Sequence, residues 1–260
     1  MLFRSNFLRE HVEDNVRIHY VITNGGLAPN IVPDKAEVYY YVRAHLPEQV
    51  EAVTERVRKC AAGAAMMTET QLEEIYDSGS TCVLSNYVLA DLQSAVMEQL
   101  GPIEFTAEEE AFAAEINSNN PPGNQKMMQT IFGLDAAVAN QPLIGDHFAD
   151  VDTGKIFPAS TDVGDVSWKT PLSMLNTTCW PTNAAAHSWG VVATGGMSIG
   201  HKGMMYAAQV MAQAAAHLIE NPDVITEARD EFDTKTAAAP YICPVPDDVM
   251  PPQNKHPYRS

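Results

Sequence analysis

Two stretches near the start of the chain alternate between apolar and polar residues with a period of two. They are residues 16–25 and 36–44, both rich in Val, Ile and Tyr, and a loop rich in Gly and Pro separates them. Such alternation is typical of β-strands with one face on a core. Helical spacing follows from Pro47, and residues 70–78 are predicted to return as a strand. This order restricts the first eighty residues to a small sheet with helices packed on one face.

The rest of the chain combines helices with one more predicted strand. Residues 88–100 have helical spacing, and the apolar run 171–180 predicts a buried strand. Residues 198–220 predict a long helix, with Ser198 as its N-cap, whose apolar positions run nearly all round. We expect such a helix to lie inside a larger body, because it has no continuous polar face. The polar residues 101–160 between these elements are interpreted as an insertion.

The charge balance excludes two classes of partner. The chain has 16 Lys and Arg against 33 Asp and Glu, a net charge of -17. A surface this acidic repels phosphate, so we expect neither nucleic acid nor an anionic membrane as a partner. The sequence has no uninterrupted apolar run long enough to span a membrane. Its four cysteines show no C-x-x-C spacing, and with no predicted signal peptide we expect a reducing, cytoplasmic location.

A group of polar residues flanks the predicted strand at residues 171–180. Asp162 and Asp165 precede the strand, and His187 follows it. Carboxylates and an imidazole at the ends of core strands are suited to metal or general-base chemistry, because the scaffold fixes them. Purely structural roles, as loop caps and a core histidine, are the alternative.

Asn30 and Arg43 lie at the loop and at the strand end of the small sheet. A guanidinium binds a carboxylate through two parallel hydrogen bonds, and an amide can add another. The alternative is an ordinary turn Asn and a surface Arg.

Two other patterns do not support a site. The Gly-rich residues 195–203 have His201 where a phosphate-binding loop requires Lys, so they are interpreted as a close-packed entry into a helix. The acidic run Glu108, Glu109 and Glu110 is interpreted as a solvated helical face.

Several long strings of the chain resemble the dimetal amidohydrolases of the aminoacylase and glutamate-carboxypeptidase family. The resemblance runs from about Phe7 to Pro246 and weakens only between Gly101 and Ser160. It rests on the strings NFLREHV, IHYVITNGGLAPNIVPDKAEVYYYVRA, RVRKCAAGAAMMTET, STDVGDVSWKTP and SIGHKGMMYAAQVMA. It implies a lid or dimerisation domain, an α+β sandwich, at residues 1–80. The C-terminal part of a mixed-sheet α/β catalytic domain then occupies residues 81–260, with the insertion at about 101–160.

The resemblance also implies roles for the candidate residues. Asn30 and Arg43 match the lid residues that hold the substrate, and Asp162 and Asp165 match an acidic segment that lines the site. His187 matches the last metal ligand. The implied substrate is an acyl-glutamate amide of the p-aminobenzoyl-glutamate kind, and the implied cofactor is a pair of divalent ions, Zn or Mn. The lid implies a homodimer or a hetero-oligomer.

The chain departs from the family pattern in its missing catalytic groups. The family's His-x-Asp ligands and its Glu-Glu pair, which includes the general base, have no counterpart here. We therefore expect no catalytic base in this chain, weak or no metal binding, and no activity without further polypeptide. The alternative is a non-catalytic protein that uses a lid of this kind to dimerise or to bind a partner.

Overall fold

The computed structural model describes residues 1–121, 123–149, 154–157 and 159–250, which divide into two compact units. The first unit contains Met1–Val83, Ser160–Asp165 and the chain from Ile242. The second contains Leu84–Ala159 and Val166–Tyr241. Among the described residues, no helix is both long and apolar enough to cross a membrane.

The first unit is built on an antiparallel hairpin backed by helices. Its elements are α1 (Leu2–Leu8), a 3₁₀ turn (Arg9–His11), β1 (Arg17–Asn24), β2 (Glu37–Arg43) and α2 (Pro47–Thr68). The two strands and the helix expected from Pro47 are confirmed. Proline suits the first turn of α2, since no helical hydrogen bond is required from it there. Glu69, in the left-handed conformation at φ 51°, ends the helix.

The register of the hairpin sends alternate side chains to the helices. Ile18 faces Val42 across the two strands, and Tyr20 faces Tyr40. These residues lie on the face that packs against the helices, whose buried cluster contains Leu8, Val16, Ile18, Val53 and Val57. Burying an aliphatic side chain of this size contributes about 1.5–3 kcal/mol, which makes this cluster the main support of the hairpin.

The strand expected at residues 70–78 does not form in the described structure. The segment is extended but joins no ladder, and side chains hold it instead. The Tyr39 hydroxyl donates to Asp77, and Arg58 pairs with Glu74. The physical reason lies in the sequence: Leu72 and Ile75 are three residues apart, so a strand would send them to opposite faces, and both are exposed.

The second unit is helical. Its helices are α3 (Tyr87–Leu100), α4 (Ala107–Ser118), α5 (Gly123–Thr130), α6 (Ala136–Ala139), α8 (Trp189–Gly195), α9 (Ser198–Glu220) and α10 (Pro222–Ala238), and the short α7 (Val163–Ser167) spans the division between the units. Together with the hairpin, these elements are compatible with the expected α/β class.

Helix α9 packs against α3 through a buried apolar stripe. Val96 and Met97 of α3 contact Tyr206 and Val210 of α9 in one cluster. The approach beside α9 is close at Gly203, where a Cβ would lie 2.3 Å from the Thr178 carbonyl oxygen. The close-packed interpretation of this Gly-rich entry is thereby confirmed. The expected N-cap is one residue off, because Ser198 is already helical and Met197 takes the cap position.

The segment predicted as a buried strand, residues 171–180, is extended without a ladder partner among the described residues. Its side chains still alternate: Leu175 packs into the cluster between α3 and α9, while Met174 and Asn176 are exposed. Residues 101–160 also contribute to this unit's interior, since Ala113 and Leu143 pack with Ile199 in a separate cluster.

Candidate functional site

The outer face of the hairpin, opposite α1 and α2, carries Arg43 among basic and aromatic neighbours. Arg43 ends β2 and faces Arg17, the first residue of β1, while Tyr41 faces His19. Because side chains alternate along a strand, these four residues lie on the face opposite Ile18 and Tyr20. All four are exposed. The four residues Arg17, His19, Tyr41 and Arg43 are called the outer-face cluster below.

The two arginines of the outer-face cluster differ in their partners. The Arg17 guanidinium donates to the Val16 carbonyl oxygen at 2.8 Å and also to that of Asp14. The Arg43 guanidinium makes no hydrogen bond or ion pair with any residue that the structure describes. Like charges directly opposite each other destabilise a hairpin, so an anion between these positions would relieve the repulsion. Arg43 is therefore available for a carboxylate, which its planar fork binds through two bonds.

Sequence reasoning found Arg43 and missed the three residues that share its face. The alternation that predicted the two strands also places His19 on the polar face of β1. Pairing the strands symmetrically about the loop would have placed Arg17 and His19 opposite Arg43 and Tyr41.

Asn30 lies in the loop between β1 and β2 and is exposed. A turn shapes this loop locally, with the Ile31 N–H donating to the Ala28 carbonyl oxygen at 3.2 Å. No hydrogen bond joins Asn30 to Arg43 in the described part of the chain. Arg43 ends β2 away from this loop, and six residues of extended strand between Glu37 and Arg43 span about 20 Å.

Asp162 and Asp165 lie at the start of α7. Asp162 precedes the helix and is exposed, whereas Asp165 is half-buried in the first turn. An Asp165 oxygen accepts a hydrogen bond from the Thr81 N–H at 3.4 Å. The backbone of this helix is close to the chain there, since a Cβ at Gly164 would lie 2.1 Å from the Thr81 carbonyl oxygen.

His187 lies in the second unit, in the loop before α8. It is exposed, and its backbone adopts the left-handed conformation with φ 61°. Few non-glycine residues occupy this region, although His is found there more often than most. The next residue, Ser188, has a buried hydroxyl with no hydrogen-bond partner among the described residues.

The described residues do not assemble a metal centre. No three His, Cys, Asp or Glu side chains converge anywhere in the ranges described above. His187 is thus a single potential donor, and this set does not fit the two ions that the resemblance implies. We derive no metal-dependent step from this chain's own residues.

Glu109 departs from its interpretation as part of a solvated face. Its side chain is only 7% exposed and accepts hydrogen bonds from Lys202 Nζ at 2.6 Å and from the Thr106 N–H at 2.7 Å. Thr106 returns a bond, since its hydroxyl oxygen accepts from the Glu109 N–H, which completes a capping box. The spacing T-x-x-E before an apolar run could have identified this arrangement. Glu108 and Glu110 are exposed as expected.

Burial and hydrogen bonding act on Glu109 in opposite directions. Burial raises the pKa of its carboxyl, but hydrogen bonds from Lys202, Ser198 and the Thr106 backbone together hold that pKa at about 2. Glu109 is therefore charged at neutral pH and fixes α4 to α9. We assign it a structural role.

No protein-family model matches the chain. Curated proteins do match it. The chain is 36% identical over 262 residues to the B subunit of p-aminobenzoyl-glutamate hydrolase of Escherichia coli, a match that covers 95% of this chain and 53% of that protein. Shorter similarities link it to Xaa-Arg dipeptidases of Mus musculus and Homo sapiens. The mouse protein is 30% identical over 39% of this chain and 24% of its own length, and the human protein 32% identical over 25% and 15%.

The chain thus spans about half the length of the E. coli protein that it matches. The match runs through both units, because it covers nearly the whole chain. The resemblance seen in the sequence is confirmed, and the chain belongs to the amidohydrolase family that includes this hydrolase of p-aminobenzoyl-glutamate.

Proposed function

We propose that this chain binds an acyl-glutamate or dipeptide-like substrate of an amidohydrolase through the outer face of its hairpin. The observation that carries the proposal is Arg43, an exposed guanidinium without a partner among the described residues of a chain with net charge -17. The name of the E. coli relative specifies a substrate with a glutamate moiety. Carboxylates of this moiety suit the Arg43 fork.

The neighbours of Arg43 add donors of the right kind. His19 and Tyr41 face each other two positions along the strands and offer an imidazole and a hydroxyl. In this proposal they bind the amide or the second carboxylate. Asn30, Asp162 and Asp165 remain proposed substrate-binding residues that complete the site in the functional assembly.

We propose further that the chain alone does not cleave the amide bond. In the complete enzyme, divalent ions, Zn or Mn, would activate the attacking water, and His187 would supply one ligand. The described residues offer no group of three ligands around it. The functional form would be a homodimer or a hetero-oligomer, with the first unit as lid and interface. A non-catalytic binding protein is the outcome if added polypeptide restores no activity.

Substrate binding is tested by titrating the full chain with p-aminobenzoyl-glutamate in a calorimeter. Arg43→Ala is expected to weaken binding at least tenfold, because it removes a bidentate contact with a charged group. Lys59→Ala is the matched control, since it removes the same charge from an exposed position on α2. It should change the affinity by less than twofold. Equal effects of the two substitutions would refute a specific role for Arg43.

The ligand can be varied in the same assay. The analogue in which the glutamate side chain is an amide should bind the wild-type chain more weakly and should lose less affinity on Arg43→Ala. Hydrolysis is measured separately with added Zn²⁺ or Mn²⁺, and turnover by the chain alone would refute the proposed inactivity.

A further inference from the structure

Helix α9 exposes a second apolar stripe next to the one that it buries. The buried stripe includes Tyr206, Val210 and Ala214. Four residues with the spacing i, i+4, i+7 and i+11 lie on one flank of this stripe, and all four are exposed: Met204, Ala208, Met211 and Ala215. At 3.6 residues per turn, Gln209 and Gln213 lie on the opposite flank. The polar and apolar flanks of α9 are thus separate, and the apolar one has no cover in the described structure.

The second stripe borders a groove. A cleft of about 290 Å³ lies between α9, α3 and the extended residues 171–173. Its walls are largely aliphatic and include Leu89, Leu92, Pro171, Met211, Ala215 and Leu218. Monomeric proteins rarely leave a continuous apolar surface open, which makes this groove a candidate interface.

The extended segment beside the groove has a free backbone edge. None of the N–H groups from Ser173 to Cys179 donates a hydrogen bond to any part of the chain that the structure describes. The alternation of exposed Met174 and Asn176 with half-buried Leu175 is that of a strand packed on one face. Half-buried backbone donors need partners, and an open strand edge accepts another strand.

We infer that residues 173–179 and the second stripe of α9 form one docking surface that receives a β-strand of another polypeptide stretch. A strand added at the usual spacing of about 4.8 Å would continue the layer of residues 173–179. Its inward side chains would then cover the groove, in the manner of β-strand addition.

The occupant is the kind of polypeptide stretch that the E. coli relative has and that has no counterpart in this chain. The match covers 95% of this chain but 53% of that relative, so nearly half of the relative lies outside the match. A second copy of this chain fits less well, because two chains of net charge -17 repel each other. The inference rests on the proposed function only in taking the functional assembly to need further polypeptide.

The test combines the full chain with the unmatched stretch of the E. coli relative. Both are co-expressed, and the complex is measured by light scattering after size exclusion and by titration. We expect a one-to-one complex in which the amides of residues 173–179 become protected from hydrogen exchange. Met211→Glu should weaken the complex at least tenfold. Gln213→Glu, which places the same charge on the polar flank, should change the affinity by less than twofold.

Two results would overturn the inference. One is equal binding by the Met211→Glu and Gln213→Glu variants, and the other is a homodimer of this chain that Met211→Glu dissociates. If the unmatched stretch does not fold alone, it is fused to this chain in one polypeptide. Met211→Glu should then lower the Tm of the fusion more than Gln213→Glu, and equal Tm values would contradict the inference.

The outcome is separable from that of the proposed function. Arg43→Ala should leave the complex intact while it weakens binding of p-aminobenzoyl-glutamate. A complex that forms as expected without substrate affinity would refute the proposed function alone. Substrate affinity without a complex would refute the docking surface alone.

Discussion

The buried ion pair between Glu109 and Lys202 makes the stability of the second unit depend on acid pH. The Glu109 carboxylate is 7% exposed, and Lys202 Nζ lies 2.6 Å from it. Its pKa is lowered from 4.5 to about 2, because the hydrogen bonds of the charged form outweigh the effect of burial. Ionised Glu109 therefore stabilises the folded chain at neutral pH.

The magnitude follows from the size of the change in pKa. A change from 4.5 to about 2 corresponds to about 3 kcal/mol, at 1.36 kcal/mol for each pKa unit. The Lys202 side chain is 34% exposed, so solvent screens part of the attraction and about 2 kcal/mol is expected. A lowered pKa contributes stability above the unfolded value. The contribution is complete above about pH 5 and is lost as the pH falls from about 4.5 towards 2.

Urea unfolding followed by tryptophan fluorescence measures this contribution in the right part of the molecule. The three tryptophans, Trp168, Trp180 and Trp189, all lie in the second unit. Glu109→Gln should lower the free energy of unfolding by about 2 kcal/mol at pH 7, and the difference from wild type should vanish near pH 2. Glu108→Gln, at an exposed position on the same helix, should change it by less than about 0.5 kcal/mol. A Glu109→Gln effect that is equal to the control, or that persists unchanged to pH 2, would refute the reasoning.

Two further substitutions test packing in the second unit by the same unfolding measurement. Gly203→Ala places a Cβ 2.3 Å from the Thr178 carbonyl oxygen and should cost about 3 kcal/mol, whereas Gly195→Ala meets no atom within 4 Å and should be neutral. Equal losses in the two variants would contradict the close approach at Gly203. Asn86→Ala removes an N-cap and a buried hydrogen bond of 2.8 Å to the Ala228 carbonyl oxygen. It should cost about 2 kcal/mol, and an unchanged midpoint would show that Asn86 does not join α3 to α10.

The elements that the sequence predicted correctly are those with a regular period. The alternation in residues 16–25 and 36–44 and the helical spacing from Pro47 each match an element of the first unit. Their patterns encode a buried face directly, so no knowledge of the rest of the chain is needed.

Strand pairing could not be predicted in this way. Residues 70–78 and 171–180 are extended as the composition indicates, yet neither joins a ladder among the described residues. A ladder needs a partner, and the identity of a partner is not a local property of the strand. An all-round apolar helix such as α9 has the same property, because its pattern indicates burial without indicating what covers it.

The candidate site was predictable in its residue types but not in its arrangement. Arg43 was identified from its position at a strand end, whereas the company of His19 and Arg17 follows only from the register. Glu109 was misjudged because three consecutive glutamates suggest a solvated face, while a helix turns each side chain by about 100° and buries one of the three.

The left-handed backbone at His187 has a consequence for laboratory evolution of this chain. An L-residue at φ 61° carries a strain of about 1 kcal/mol that glycine avoids. A library selected only for thermal resistance should therefore enrich Gly or Asn at this position over His and Ala. A library selected for turnover in a complete enzyme should retain His. The divergence of the two populations would show that the imidazole is kept for its chemistry, since the backbone favours its replacement.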